Sequence, residues 1–278
     1  MKKICFLALF LSSIIPAGIF ADPPSFKING NVKSYTKTNY VITQKFGDYF
    51  RTPDIRYTYK FDDQGRETEV SEITAAGILL SKITNSYNEK GLVASKISTD
   101  AANITEWRIS FTYNDDGLVI DESEFNKNDT LSGRTITKYS DDKTQCEESS
   151  YNVNGQLIWK NIHKFDSSGR KIETNQYFAD GALDQKQKYT YNDEGRLAEV
   201  NSTDGFGKAT KRIQYRFDEK GTVTETAVYD FVTGAEEREF YRYNEDGNLI
   251  RTTTYNVAKK FDTIVNELID MSEYVYEK

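Results

Sequence analysis

The stretches YTYNDEGRL (Tyr189–Leu197) and YRYNEDGNL (Tyr241–Leu249) are near-copies of one another, 52 residues apart. An aromatic residue, then a polar residue, usually Asn or Asp, begins a five-residue unit at Phe61, Tyr87, Tyr113, Tyr139, Phe165, Tyr191, Phe217 and Tyr243, always at an interval of 26. The unit ends in Gly in seven copies, and the fourth carries Lys143 instead. With aromatics at 13% of the chain, chance would fill about one of those eight positions. A second turn of the same kind follows twelve residues on, clearest at Tyr151–Gly155 and Tyr177–Gly181. Gly77 and Gly207 mark it elsewhere, while Asn103 and Asp129 supply residues that tolerate positive φ.

Asn or Asp at the first position of a type I turn and Gly at the fourth match that turn's preferences. A left-handed Gly then forms a bulge and gives a three-residue hairpin connection. Segments between the turns, such as Arg196–Val200 and Ile213–Phe217, are short and alternating, as strands are. The expected fold is therefore all-β: an antiparallel β-meander of eight 26-residue hairpin repeats. Open twisted sheets of more than ~10 strands curl or split, so a long curled or spiral sheet is expected. A parallel β-solenoid is the alternative. A porin-like barrel is set aside, because Glu67–Glu72 (ETEVSE) cannot form a lipid-facing strand surface.

The expected organisation is a signal peptide over 1–21, a strand-like cap over 22–60, the repeat domain over 61–256 and a cap over 257–278. In that last segment Phe261, Ile264, Val265 and Leu268 stand at helical spacing and suggest a short covering helix. Lys2 and Lys3, the apolar run Ile4–Ile15 and the small Ala21 before Asp22 have the form of a secretory signal. The run is too short to span a bilayer, which takes ~20 apolar residues, so no transmembrane segment is expected after cleavage. An exported protein follows, periplasmic, cell-surface or secreted. Cleavage takes the net charge from −7 to −9 by removing two lysines, which argues against nucleic acid as a partner and against electrostatic docking on anionic lipid.

The repeats resemble the YD repeats of RHS-type bacterial proteins, over roughly residues 57–256. Large members of that group wind such repeats into shells around a toxin domain. Shorter ones are supposed to bind carbohydrate or cell surfaces, and eight repeats suit the short, non-toxin form. The resemblance carries over no catalytic residue.

Candidate chemistry is sparse. The single histidine, His163, occupies the repeat column of Phe111, Tyr189, Tyr215 and Tyr241, as a repeat-face side chain. Cys146 stands in the column of Ile120, Ile172 and Ile250, as a small buried hydrophobe. No catalytic, metal or cofactor site is expected, and carboxylates recur too evenly for any pair to stand out. Lys82, Arg108, Arg134, Lys160, Lys186, Arg212 and Arg238 form a basic column, with an acid thirteen residues earlier in six of seven copies. A cross-strand ion ladder accounts for it. A four-residue loop at Asn152–Gly155 would set Glu147 opposite Lys160. A bulged loop would set Tyr151 opposite Leu157, Tyr191 opposite Leu197 and Tyr243 opposite Leu249, which is favoured because it pairs apolar with apolar.

The expected function is non-enzymatic: a surface that binds glycan or protein ligands. A polysaccharide-acting enzyme or a purely structural envelope component is the alternative. Trp107 and Trp159 share a repeat position two units apart, with Gly133 between them. They suggest two aromatic platforms flanking a shallow floor, with Asn161, Asn85 and Gln185 as polar contacts. The competing role for both rings is packing on the inside of a curled sheet.

Overall fold

The computed structural model describes residues 26–260 and 263–278. The segment expected as a signal peptide, residues 1–21, and Phe261 of the expected helix lie outside the described residues. Eighteen strands run from β1 (Ser34–Lys45) and β2 (Asp48–Phe61) through β17 (Leu249–Lys260) and β18 (Thr263–Glu277). Each is antiparallel to its chain neighbours. The turns form as their chemistry demands. Gly65 N donates to the Asp62 carbonyl at 2.9 Å, Gly65 adopts φ +74°, and the Asp62 carboxylate accepts from the backbone of Gln64 and Arg66. Lys143, in the copy that lacks glycine, is itself forced to φ +56°. Asn103 and Asp129 also adopt positive φ.

The bulge sets the register: Tyr151 faces Leu157, Tyr191 faces Leu197 and Tyr243 faces Leu249. It also sets the tilt. Tyr59 faces Val70, and Val70 faces Ile83, so stepping across one hairpin advances 24 residues where the repeat advances 26. Each turn therefore adds one unpaired residue, and each hairpin is staggered by two. At ~3.3 Å per residue and ~4.8 Å per strand this inclines the strands by about 35°, the slope at which sheets close into barrels.

The sheet does close, which corrects the expected long curled or spiral sheet and rules out the parallel solenoid. Tyr35 of β1 faces Tyr59 of β2 on one side and Tyr276 of β18 on the other. The result is an 18-stranded antiparallel barrel. Setting aside a barrel on the polarity of Glu67–Glu72 conflated closure with membrane insertion; a ring needs only staggered, paired strands. The expected C-terminal helix is also corrected, because β18 is a strand from Thr263 to Glu277. Its residues are needed to pair with both β17 and β1. The off-pattern ends of the chain are thus the staves that close the ring. Stacked aromatics seal this seam, with Tyr35 4.4 Å from Tyr59 and 5.4 Å from Tyr276, centroid to centroid.

Among the described residues, the substantial contacts between strands run around the ring. Inner side chains such as Phe111, Tyr189 and Tyr215 stay partly exposed, so the two walls do not collapse onto one another. Residues 26–33 lie against the inner wall at one end, where Phe26 packs 5.0 Å from Tyr241 and Asn248 bonds Asn29.

Candidate binding groove on the inner wall

Strand alternation gives the wall two faces of different chemistry. One face carries the tyrosine and phenylalanine columns, Glu67, Glu122, Glu148, His163 and both tryptophans. Burial raises the pKa of Glu67 and of Tyr59, Tyr215 and Tyr274, as expected on the concave side, where side chains converge. The other face carries the ion ladder. Lys60, Lys164 and Arg216 pair with Glu69, Glu173 and Glu225 at 2.9, 3.0 and 3.0 Å. Diagonal partners follow the bulged register: Lys186 to Glu173 at 2.7 Å, Lys160 to Glu147 at 3.5 Å, and Arg134 to Asp121. Each exposed pair contributes ~0–1 kcal/mol, so the ladder fixes register more than it stabilises. Arg108 departs from the pattern by bonding Asp129 and lying 3.8 Å over the Phe125 ring.

The inner wall is lowest along β8 (Leu131–Tyr139), whose inward residues are Gly133, Thr135 and Thr137. Corresponding positions are Trp107, Ile109 and Phe111 on β6 (Thr105–Tyr113), and Trp159, Asn161 and His163 on β10 (Leu157–Phe165). A groove therefore runs over β8 between two taller ridges. Its sides are completed by Glu124, opposite Gly133, and by Glu148, opposite Asn161. Trp107 and Trp159 stand on the same face, both half-buried, and neither stacks on another ring among the described residues. Four strand spacings and a stagger of four residues separate them, about 23 Å along the wall. A Cβ at Gly133 would meet Glu124 Oε2 and the Tyr151 carbonyl at 3.6 Å, ordinary contact. Packing therefore does not compel glycine there; what glycine contributes is an open floor.

Asn161 belongs to the groove, donating to Glu148 Oε2 at 3.0 Å while its own Oδ1 is buried without a partner. Gln185 and Asn85 share the inner face but lie two strands outside the ridges, so they are not gathered with the tryptophans. Asn85 is committed to Glu67 through two hydrogen bonds.

Two carboxylates of the groove titrate in opposite directions. Burial, together with the negative Glu148, pushes Glu122 up to about 7. Burial acts on Glu148 in the same sense, but hydrogen bonds from His163 and Asn161 outweigh it and hold that carboxyl low. His163 Nδ1 is 2.9 Å from Thr174 Oγ1, and its Nε2 is 3.6 Å from Glu148 Oε2. The repeat column holding these acids reads Val70, Lys96, Glu122, Glu148, Thr174, Val200, Thr226, Thr252. Three successive charges in an otherwise uncharged column were the available signal, which counting carboxylates per repeat conceals. Cys146 is 4% exposed and packs with Leu118, Phe165 and Tyr139, and burial raises its thiol to about 12. No group of three or more metal-binding side chains occurs among the described residues, and no described helix is long and apolar enough to cross a membrane.

A family model described only as an uncharacterised protein matches residues 162–278. No curated protein matches. Among solved structures, a porin-like protein from Bacteroides uniformis is 11% identical, over 90% of this chain and 99% of its own, with a TM-score of 0.48. A chain of the TcdB2-TccC3-TEV structure is 12% identical over 78% of this chain and 16% of its own, at a TM-score of 0.28. A protein of unknown function from Bacteroides fragilis is 8% identical over 71% of this chain and 91% of its own, at 0.16. Such TM-scores carry no argument, and the closed ring rests on the strand pairing itself.

Proposed function

We propose that this chain is an exported, non-enzymatic binding barrel that holds an oligosaccharide along its inner wall. The observation that carries the reading is the pair Trp107 and Trp159, on one inward face, flanking the glycine-floored groove of β8. Aromatic faces pack against the apolar faces of sugar rings, while Asn161 and Glu124 offer hydrogen bonds to hydroxyls. The signal-like start of the chain supports export, and the outer ion belt favours an aqueous setting for the barrel wall, since charged side chains facing lipid at mid-depth cost ~2–4 kcal/mol each. The likeness of the turns to YD repeats supports placing the chain with the short, carbohydrate-binding members of that group. Titration of the mature protein with a panel of oligosaccharides tests the reading. Intrinsic fluorescence is expected to shift, and Trp159→Ala to weaken binding at least tenfold without unfolding. A panel that leaves the fluorescence unchanged would overturn it.

One observation favours a second reading, an enzyme acting on polysaccharide. Glu122 and Glu148 pair a carboxyl that protonates near neutrality with one that stays ionised, the division of labour used in glycoside hydrolysis. Release of reducing ends from a polysaccharide, abolished in Glu122→Gln, would establish that reading over simple binding.

A further inference from the structure

The stagger of two residues per hairpin matches the strand tilt, so equivalent turns of successive repeats lie in one plane around each end of the barrel. The two rims differ in chemistry. Across the eight turns from Asp62–Arg66 to Asn244–Asn248, fourteen carboxylates stand against six cationic side chains, a net charge of −8. Counted in the same way, from the residue that starts each turn, the described turns of the opposite rim, 46–47 and from 74–78 to 230–235, hold five acids against two bases, a net charge of −3.

This less acidic rim carries apolar side chains at its outermost points. Phe46 and Phe206 are fully exposed, at 104% and 100%, and Ile78, Ile104 and Val232 are each more than 60% exposed. Scattered single apolar residues need no explanation. Here they recur at one end of a closed ring, in five of its described turns, while the turns of the other rim are more acidic. Phe46 is the sharper case. It adopts φ +55° and precedes Gly47 at φ +91°, a type I′ turn whose first position suits Asn or Gly. A bulky residue with positive φ is an outlier, so an aromatic is kept at this tip against local backbone preference.

We propose that this less acidic rim docks on a lipid bilayer surface, with the turn tips set into the headgroup region and the barrel standing on end. Neighbouring tips are about 12 Å apart, two strand spacings measured around the tilted rim, with polar residues between them. That spacing gives no continuous face for a protein partner to bury, whereas the soft interfacial zone of a bilayer accepts separate aromatic and aliphatic tips. Charge selects the same rim: an anionic lipid surface repels the −8 rim more strongly than the −3 rim, where apolar tips supply the attraction. The lumen then opens towards the membrane, and the acidic rim faces away.

Flotation of the mature protein with phosphatidylethanolamine–phosphatidylglycerol vesicles tests this directly. The wild type is expected to float with the vesicles, and the double variant Phe46→Asn, Phe206→Asn to lose at least tenfold in vesicle-bound fraction. Asn suits both the left-handed position of Phe46 and the type I turn position of Phe206, so the variant should melt no lower than the wild type, which separates loss of docking from loss of fold. A wild type that stays with the soluble fraction overturns the proposal, as does a variant that floats equally well. Sedimentation of the wild type as a dimer that the variant abolishes, with no vesicle binding, would assign the rim to self-association instead.

Discussion

The hydroxyl of Tyr113 donates a 2.7 Å hydrogen bond to the backbone carbonyl of Val93, twenty residues earlier on the preceding strand. The same bond links Tyr87 to Glu67, Tyr139 to Val119, Tyr191 to Lys171 and Tyr243 to Val223. The repeated aromatic thus does more than fill space beside a turn. Each tyrosine ties its own repeat to the bulged strand of the one before.

Phe217 occupies this position without a hydroxyl. Phe217→Tyr is expected to gain the bond to the Leu197 carbonyl and stabilise the barrel by about 1 kcal/mol, while Tyr113→Phe loses a similar amount. Thermal melts of the two variants check it: the first should rise and the second fall by a few degrees.

Lys143 holds φ +56° where seven other copies use glycine. Lys143→Gly is expected to raise stability modestly, by ~0.5–1 kcal/mol, since glycine removes the steric cost of the left-handed conformation. Gly117→Ala, at φ +77°, should lower it. Denaturant midpoints for the pair measure both signs.

Glu122 is raised from the usual 4.5 to about 7 in the folded state. Folding therefore takes up a proton between these values. The protonated carboxyl's full contribution is present below pH 4.5 and is lost as the pH rises through 7. Glu122→Gln should accordingly melt near the wild type at pH 4 and above it at pH 8, by on the order of 3 kcal/mol at most. Equal displacement at both values would show that Glu122 is not held in this environment.

Glu173 behaves in the opposite sense. Burial would raise its pKa, but hydrogen bonds from Lys186, Lys164 and Asn175 outweigh it and hold the carboxyl at about 2. The stability this confers is present above pH 4.5 and is lost as the pH falls towards 2. Glu173→Gln should cost stability at pH 7 and little at pH 2, as read from melts at the two values.

Cys146 is expected to resist thiol reagents in the native protein, because its thiol is buried and titrates near 12. Labelling should track global unfolding in denaturant. Rapid labelling under native conditions would show that the Leu118–Phe165 cluster opens locally.

The local rules were fully legible in the chain. Asp or Asn followed three residues later by Gly fixes turns such as Asn192–Gly195, the left-handed residue fixes the bulge, and the bulge fixes Tyr191 opposite Leu197. The side-chain alternation that separates Trp107 and Glu122 from Arg108 and Asp121 is equally local. Closure was not legible, because it rests on Tyr35 meeting Tyr276 across the length of the chain and on a two-residue stagger accumulated over the whole ring. Nor was it legible which face turns inward. A strand pattern defines two faces, but only curvature makes one of them concave, and that curvature desolvates Glu122 and gathers His163, Asn161 and Glu148. The sequence by itself determined the hairpin, its register and its two chemistries; the tertiary structure alone decided that the hairpins form a barrel and that the tryptophans flank a groove inside it, because both depend on contacts between residues far apart in the chain.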